Sequence, residues 1–213
     1  MGLYLVTDEA LCRGRRVEEV VSAAVRGGVS MVQLREKELP TRPFIERAAL
    51  LKDLLAPHGI PLVVNDRVDV ALAAGADGVH LGQNDMPYED ARRLLGPTAV
   101  VGLSVETLAQ VAEADGVYLD YLAISPVFRT ATKSDTGEDW GLEGLSVVRR
   151  ATSLPLVAIG GINADNAASV VRAGADTLAV VSAVCSAAEP ERAARELVGI
   201  IERETSRRIG GEV

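Results

Sequence analysis

The chain has 213 residues, 48% of them hydrophobic but only 3% aromatic, so it can bury one sizeable core built from Val, Leu, Ile and Ala. A net charge of −8 and a sequence pI near 4.9 argue against a general nucleic-acid or anionic-membrane surface, because such partners need a basic field. No apolar run approaches the roughly 20 residues of a membrane span, and the first residues lack the basic segment and apolar core of a signal peptide. Cys12 and Cys185 have neither metal nor disulfide-framework spacing. The expectation is a soluble protein of the reducing cytoplasm.

Short β-branched runs recur at 3–7, 31–35, 62–65, 78–81, 100–104, 121–124, 156–159 and 177–181. Segments of helical composition begin near Val17, Thr41, Val68, Tyr88, Glu106, Leu142, Asn163 and Glu189, several with apolar residues at helical spacing. This alternation predicts an α/β fold, a (β/α)8 TIM barrel forming one catalytic domain over 1–204, with 205–213 a loosely held tail. An open, doubly wound sheet has the same period and stays open at this point. Ala74-Gly75-Ala76-Asp77 before the fourth run is echoed by Ala173-Gly174-Ala175-Asp176 before the eighth, each glycine closing a helix. The longest strand-to-helix connection, 125–141, has the length of a functional loop.

The candidate chemistry clusters at the predicted C-terminal strand ends, where barrels keep their active sites. On the second strand Gln33, Arg35 and Lys37 share one face and Val32 and Leu34 the other, so an amide and two cations point into the upper lumen, a pattern suited to a polyanion. A solvated strand end is the plainer reading. Asn65 and Asp66 end the third strand and Asp85 follows the fourth; two carboxylates at one rim make a hard-cation site that substrate phosphates can complete. Turn and capping chemistry competes with that reading. His80 reads equally well as a core histidine, Gly102 and Ala123 would leave room for a ligand, and Ser104 offers a hydroxyl. Gly160-Gly161 and Val181-Ser182, after the seventh and eighth strands, fall where barrels often bind phosphate, although tight turns alone would also explain them.

Together these residues resemble the thiamine-phosphate synthase family over nearly the whole chain. The most specific stretches are Gln33-Leu34-Arg35-Glu36-Lys37, Asn65-Asp66-Arg67, His80-Leu81-Gly82-Gln83-Asn84-Asp85-Met86-Pro87, Pro126-Val127-Phe128, Thr130-Ala131-Thr132-Lys133 and Ala158-Ile159-Gly160-Gly161-Ile162. The resemblance implies a cytoplasmic transferase of thiamine biosynthesis that couples hydroxymethylpyrimidine diphosphate to a thiazole phosphate. The thiazole is either the carboxylated tautomer or hydroxyethylthiazole phosphate, and diphosphate is released by Mg²⁺-assisted dissociative substitution. Carried over, Gln33, Leu34, Arg35, Glu36, Lys37, Asn65, Ser104 and Lys133 bind the pyrimidine diphosphate. Thr130, Ala131, Thr132, Gly161, Val181 and Ser182 bind the thiazole phosphate, and Asp66 and Asp85 hold Mg²⁺. Arg35, Lys37, Ser104 and Lys133 carry catalysis, through charge and position rather than through a nucleophile.

Two departures stand out: Ala131 replaces the family's loop proline, and Ser125 a glycine before Pro126. The competing enzyme is the related thiazole tautomerase, which usually has a histidine at the position of Pro126 and lacks the Gly-Gln-x-Asp pattern. A non-catalytic protein that binds thiamine precursors is the third reading, against which the intact acids and cations argue. Partners are phosphorylated small molecules, with no nucleic acid and no membrane, and a homo-oligomer is left open.

Overall fold

The computed structural model of the protein describes residues 2–114, 118–129 and 139–210. The β-branched runs form strands β1 (Gly2–Val6), β2 (Met31–Leu34), β3 (Leu62–Asn65), β4 (Gly78–Leu81), β5 (Val100–Val105), β6 (Tyr121–Ile124), β7 (Leu156–Ile159) and β8 (Thr177–Val180). They pair in sequence order, all parallel, and β8 pairs back onto β1, so the sheet is a closed barrel and not an open doubly wound one.

Helices α1 (Val17–Arg26), α2 (Thr41–Leu55), α3 (Val68–Ala74), α4 (Tyr88–Leu95), α5 (Leu108–Ala114), α6 (Gly141–Ala151) and α7 (Ala167–Arg172) follow the first seven strands in turn. After β8 come a single turn, α8 (Ser182–Cys185), which the sequence did not announce, and the long α9 (Pro190–Gly210). In α1 the residues Val17, Val20, Val21 and Ala24 recur at helical spacing and are all buried. At its start the Glu19 carboxylate accepts the Arg16 N–H at 3.1 Å. Among the described residues no helix is long and apolar enough to cross a membrane.

Strand alternation divides the apolar residues into two cores. Leu3, Leu5, Val32, Leu34, Val64 and Val79 belong to the large core between strands and helices. Tyr4, Val6, Tyr121, Ala123, Val157 and Ala179 form a separate cluster inside the barrel. The lumen is therefore filled by this cluster, and a cavity opens above it toward the C-terminal strand ends.

A repeated clamp ties the opposite end. The residue just before each even strand reaches back to the start of the odd strand beside it. Asp77 accepts the Leu62 N–H at 2.7 Å and the Lys52 ammonium at 2.5 Å. Asp120 accepts the Val101 N–H at 2.7 Å and Arg92 at 2.6 Å. Asp176 accepts the Leu156 N–H at 2.9 Å, Arg149 at 2.8 Å and Arg208 at 3.0 Å. Ser30 takes the same place before β2, donating to the Leu3 carbonyl at 3.1 Å. The repeated Ala-Gly-Ala-Asp words in the sequence are two instances of this device.

Over the described part of the segment expected to be loosely held, α9 is helical through Gly210. Arg208 is held by Asp176 and Glu204 accepts Arg172 at 2.8 Å, which ties the last turns to the body of the barrel, while Arg207 bonds Glu204 within the helix at 3.0 Å.

Candidate active site

The C-terminal strand ends open on a cavity of about 340 Å³. Its floor is polar although it is buried. The Tyr121 ring stacks on His80 with centroids 5.6 Å apart and planes 9° apart, and meets Tyr4 edge-on at 6.1 Å. Register explains the stack, since Gly102 is paired with His80 on one side and Tyr121 on the other. A Cβ at Gly102 would collide with the Tyr121 ring. Gly102 thus makes room for a tyrosine and not for a ligand, which corrects the sequence reading, whereas Ala123 does line the cavity. Burial pushes the Tyr4 phenol up to about 12, and burial together with neighbouring Tyr4 pushes Tyr121 up as well.

The wall toward β2, β3 and β4 carries the charges. Arg35 lies 3.3 Å from the Asp8 carboxylate, and its backbone N–H donates to the Thr7 hydroxyl at 3.1 Å. Lys37 Nζ is 2.6 Å from Asp66 Oδ2. Asp66 has φ 64°, a left-handed conformation that costs an L-residue roughly 1–2 kcal/mol. Its N–H donates to the His80 carbonyl at 2.8 Å, which pins that turn to the next strand. Asp85 accepts the Gly82 N–H at 2.7 Å. Burial pushes the Asp85 carboxyl above the usual range, the Gly82 N–H partly opposes this, and the adjoining Asp66 raises it further. The two acids therefore meet, as their strand positions suggested. Among the described residues no cluster of three or more His, Cys, Asp or Glu that could hold a metal ion forms.

The wall from β6 to β8 is made of close backbone. Gly160 and Gly161 have φ 104° and 66°, and a Cβ on either would press into Pro126 or Phe128. The segment after β6 lies directly on them, with Val127 and Phe128 donating to the carbonyls of Ile159 and Gly160 at 2.9 and 3.1 Å. Asn166 holds the Gly161 carbonyl at 2.9 Å. Val181 and Ser182 form the first turn of α8, whose leading N–H groups have no acceptor within the helix, and both residues line the cavity.

Of the residues expected from sequence, Gln33, Arg35, Lys37, Asn65, Asp66 and Asp85 line this one cavity, and so do Ser104, Gly161, Val181 and Ser182. Leu34 and Glu36 do not. Leu34 is buried in the helix-facing core, and Glu36 turns outward to Arg47 at 2.5 Å, because alternate residues of a strand face opposite ways. Thr130, Ala131, Thr132 and Lys133 lie outside the described residues. Tyr4, Tyr121 and Gln83 were not anticipated at the site. Gln83 Nε2 donates to the Ser104 carbonyl at 2.6 Å and bridges two strand ends. The two cysteines, remote in sequence, come together beside the β1–β8 seam as free, buried thiols, and contact with Cys12 together with burial pushes the Cys185 thiol up.

A family model described as thiamine monophosphate synthase matches residues 3–184. The thiamine-phosphate synthase of Albidiferax ferrireducens is 62% identical over 200 residues, 94% of this chain and 91% of that protein. That of Leptospira biflexa is 54% identical over 196 residues, 90% and 93% of the two chains. The solved structure of thiamine phosphate pyrophosphorylase from Pyrococcus furiosus superposes with a TM-score of 0.87 at 40% identity, covering 95% of this chain and 96% of that one. With a family model spanning most of its length and relatives of this identity covering nearly all of it, the chain belongs to the thiamine monophosphate synthase family.

Proposed function

We propose that this cavity couples hydroxymethylpyrimidine diphosphate to a thiazole phosphate, giving thiamine phosphate and diphosphate. The observation that carries the reading is the meeting of Asp66 and Asp85 with Arg35 and Lys37 at one mouth, above a floor of neutral hydrogen-bonding groups. Opposite charges placed so closely at a solvent-facing rim suit a ligand that brings both phosphate oxygens and a cation.

Gln33, Asn65 and Ser104 would hold the pyrimidine ring in the lumen, and Arg35 and Lys37 would hold its diphosphate at the rim. Asp66 and Asp85 fit a hard divalent cation, since two adjoining carboxylates, one with its proton affinity raised by burial and by the other, gain from a cation between them. When bound, Mg²⁺ would neutralise diphosphate oxygens and make that group a better leaving group. The C–O bond to the pyrimidine methylene breaks with its electron pair going to diphosphate, and the thiazole nitrogen lone pair forms the new C–N bond. Arg35 and Lys37 meet the charge that grows on the departing group, and the enclosed lumen keeps water from the cationic carbon. Gly161, Val181 and Ser182 would hold the thiazole phosphate on backbone N–H groups, which keeps its nitrogen aimed across the cavity. A carboxylated thiazole would lose CO₂ after coupling. No side chain is required as a nucleophile.

The test is a coupling assay with purified protein, Mg²⁺ and both phosphorylated halves. Thiamine phosphate and diphosphate are expected in equal amounts, and no product above a protein-free blank would overturn the reading. Repeating it with each thiazole separately identifies the acceptor, and incubation of the carboxylated thiazole alone separates coupling from tautomerisation.

A further inference from the structure

A chain of five polar side chains crosses the lumen beneath the charged rim. Gln33 Nε2 donates to the Tyr4 hydroxyl at 2.8 Å, and the Tyr4 and Tyr121 hydroxyls are 3.1 Å apart. The Tyr121 hydroxyl lies 2.9 Å from His80 Nδ1, and His80 Nε2 lies 2.9 Å from Ser104 Oγ. Gln33, Tyr4, Tyr121 and His80 are all buried.

One end fixes the direction of the whole chain. An amide nitrogen carries only donors, so the Tyr4 oxygen accepts from Gln33, and the Tyr4 proton is then available to the Tyr121 oxygen. The Tyr121 proton then goes to His80 Nδ1, and a neutral imidazole that accepts at Nδ1 donates at Nε2. Nε2–H fills one acceptor position of Ser104, whose own proton is turned toward the cavity. Gln33 spends one of its two Nε2 hydrogens on Tyr4, and its Oε1 is the acceptor it has to offer a ligand. Burial holds both phenols protonated at the pH values where an enzyme works.

We propose that Tyr4, Tyr121 and His80 are positioning residues that impose one hydrogen-bond polarity on the cavity floor, an acceptor at Gln33 and a donor at Ser104. The inference rests on the coupling function above and adds to it a rule for the heterocycle. The ring that fits presents an N–H donor toward Gln33 and an unprotonated nitrogen toward Ser104, as an amino-substituted pyrimidine does. An oxo analogue would set a carbonyl oxygen against Gln33 Oε1, and a site built to hydrogen-bond one pattern rejects its inverse strongly. Gly102 is part of the device, because its missing side chain lets Tyr121 reach both Tyr4 and His80.

The chain has two histidines, and the other, His58, is exposed. Isotope-labelled histidine NMR of the whole protein, with His58→Gln for assignment, therefore reads the His80 tautomer directly. The expected result is Nε2–H in the native chain and loss of that fixed tautomer in Tyr121→Phe. In the coupling assay the same variant should raise KM for the pyrimidine diphosphate about 10-fold, the loss of roughly one hydrogen bond, and leave KM for the thiazole phosphate unchanged. An Nδ1–H tautomer or a protonated ring in the native chain overturns the proposal. So does a folded Tyr121→Phe that keeps Nε2–H, or one that raises both KM values alike. If Tyr121→Phe does not fold, the native tautomer still decides between the two directions. A chain without coupling activity would remove the function proposed above while leaving the tautomer result readable.

Discussion

At the N-terminal end of the barrel, Asp77, Asp120 and Asp176 each hold a strand N–H and the cation of a covering helix. At the C-terminal end, Asp66 and Asp85 adjoin one another at a cavity, one in a left-handed turn and the other with its carboxyl pushed up by its surroundings. The residue type is the same, and above as below a cation and a backbone N–H are among the partners, Lys37 for Asp66 and the Gly82 N–H for Asp85, but the two upper acids also adjoin each other. Below, each carboxylate is satisfied by groups whose positions the fold already dictates, so its removal should cost stability. Above, burial and then the adjoining Asp66 disfavour the charge on Asp85, so removing that charge should cost activity and relieve the fold. Barrels generally divide labour between their ends in this way, and here the division can be followed residue by residue.

The largest effect expected is on the upper pair. Asp66→Ala or Asp85→Ala should weaken the response to Mg²⁺ by at least about 100-fold, more than the loss of a supporting partner usually costs, with folding intact. A metal titration of coupling rate checks this, and an unchanged dependence would remove the residue from the metal site. Arg35→Ala should lower kcat about 10²–10³-fold by removing charge that acts on the leaving group, read from steady-state kinetics with both substrates. Below, Asp176→Ala should cost about 1–3 kcal/mol, because the Leu156 N–H, Arg149 and Arg208 all lose a shared carboxylate. Urea unfolding checks the loss, and kcat should stay unchanged. Gly102→Ala joins the two ends, since displacing Tyr121 should cost about 1–3 kcal/mol through overpacking and also impair the pyrimidine site.

The smallest effect is a dependence on pH. The Asp85 carboxyl is raised in the folded chain, so its protonated form favours folding. That contribution is complete below the unfolded carboxyl value of about 3.9 and is lost as pH rises through the higher folded value. Metal-free Asp85→Asn should therefore melt slightly above the native chain at neutral pH, and the gap should close toward pH of about 4. A thermal melt series that shows the reverse order would contradict the strain assigned to the upper pair.

Much of this was legible in the sequence, for reasons that also mark where reading stops. Eight buried parallel strands announce themselves as short β-branched runs, and acids or glycines at their ends identify the active face. A contiguous word such as Gln33 to Lys37, however, hides the alternation that sends Leu34 and Glu36 away from the cavity. Gly102 looked like empty space because the residue that fills it belongs to the next strand. Tyr4 and Tyr121 meet only across the lumen, and the two cysteines only across the closing seam. Such contacts depend on barrel closure, which no local pattern encodes.

Closure also sets an order of events during synthesis. β1 is made first, yet one of its two neighbours, β8 (Thr177–Val180), leaves the ribosome only after most of the chain has been made. Until then the growing sheet has two unsatisfied parallel edges, the kind of surface on which chains aggregate. The final helix, α9, then packs over α1, α7 and β1 and covers that last joint from outside. The C-terminal segment is thus a latch for the N-terminal strand, and a chain cut short of β8 would be an open sheet rather than a smaller barrel.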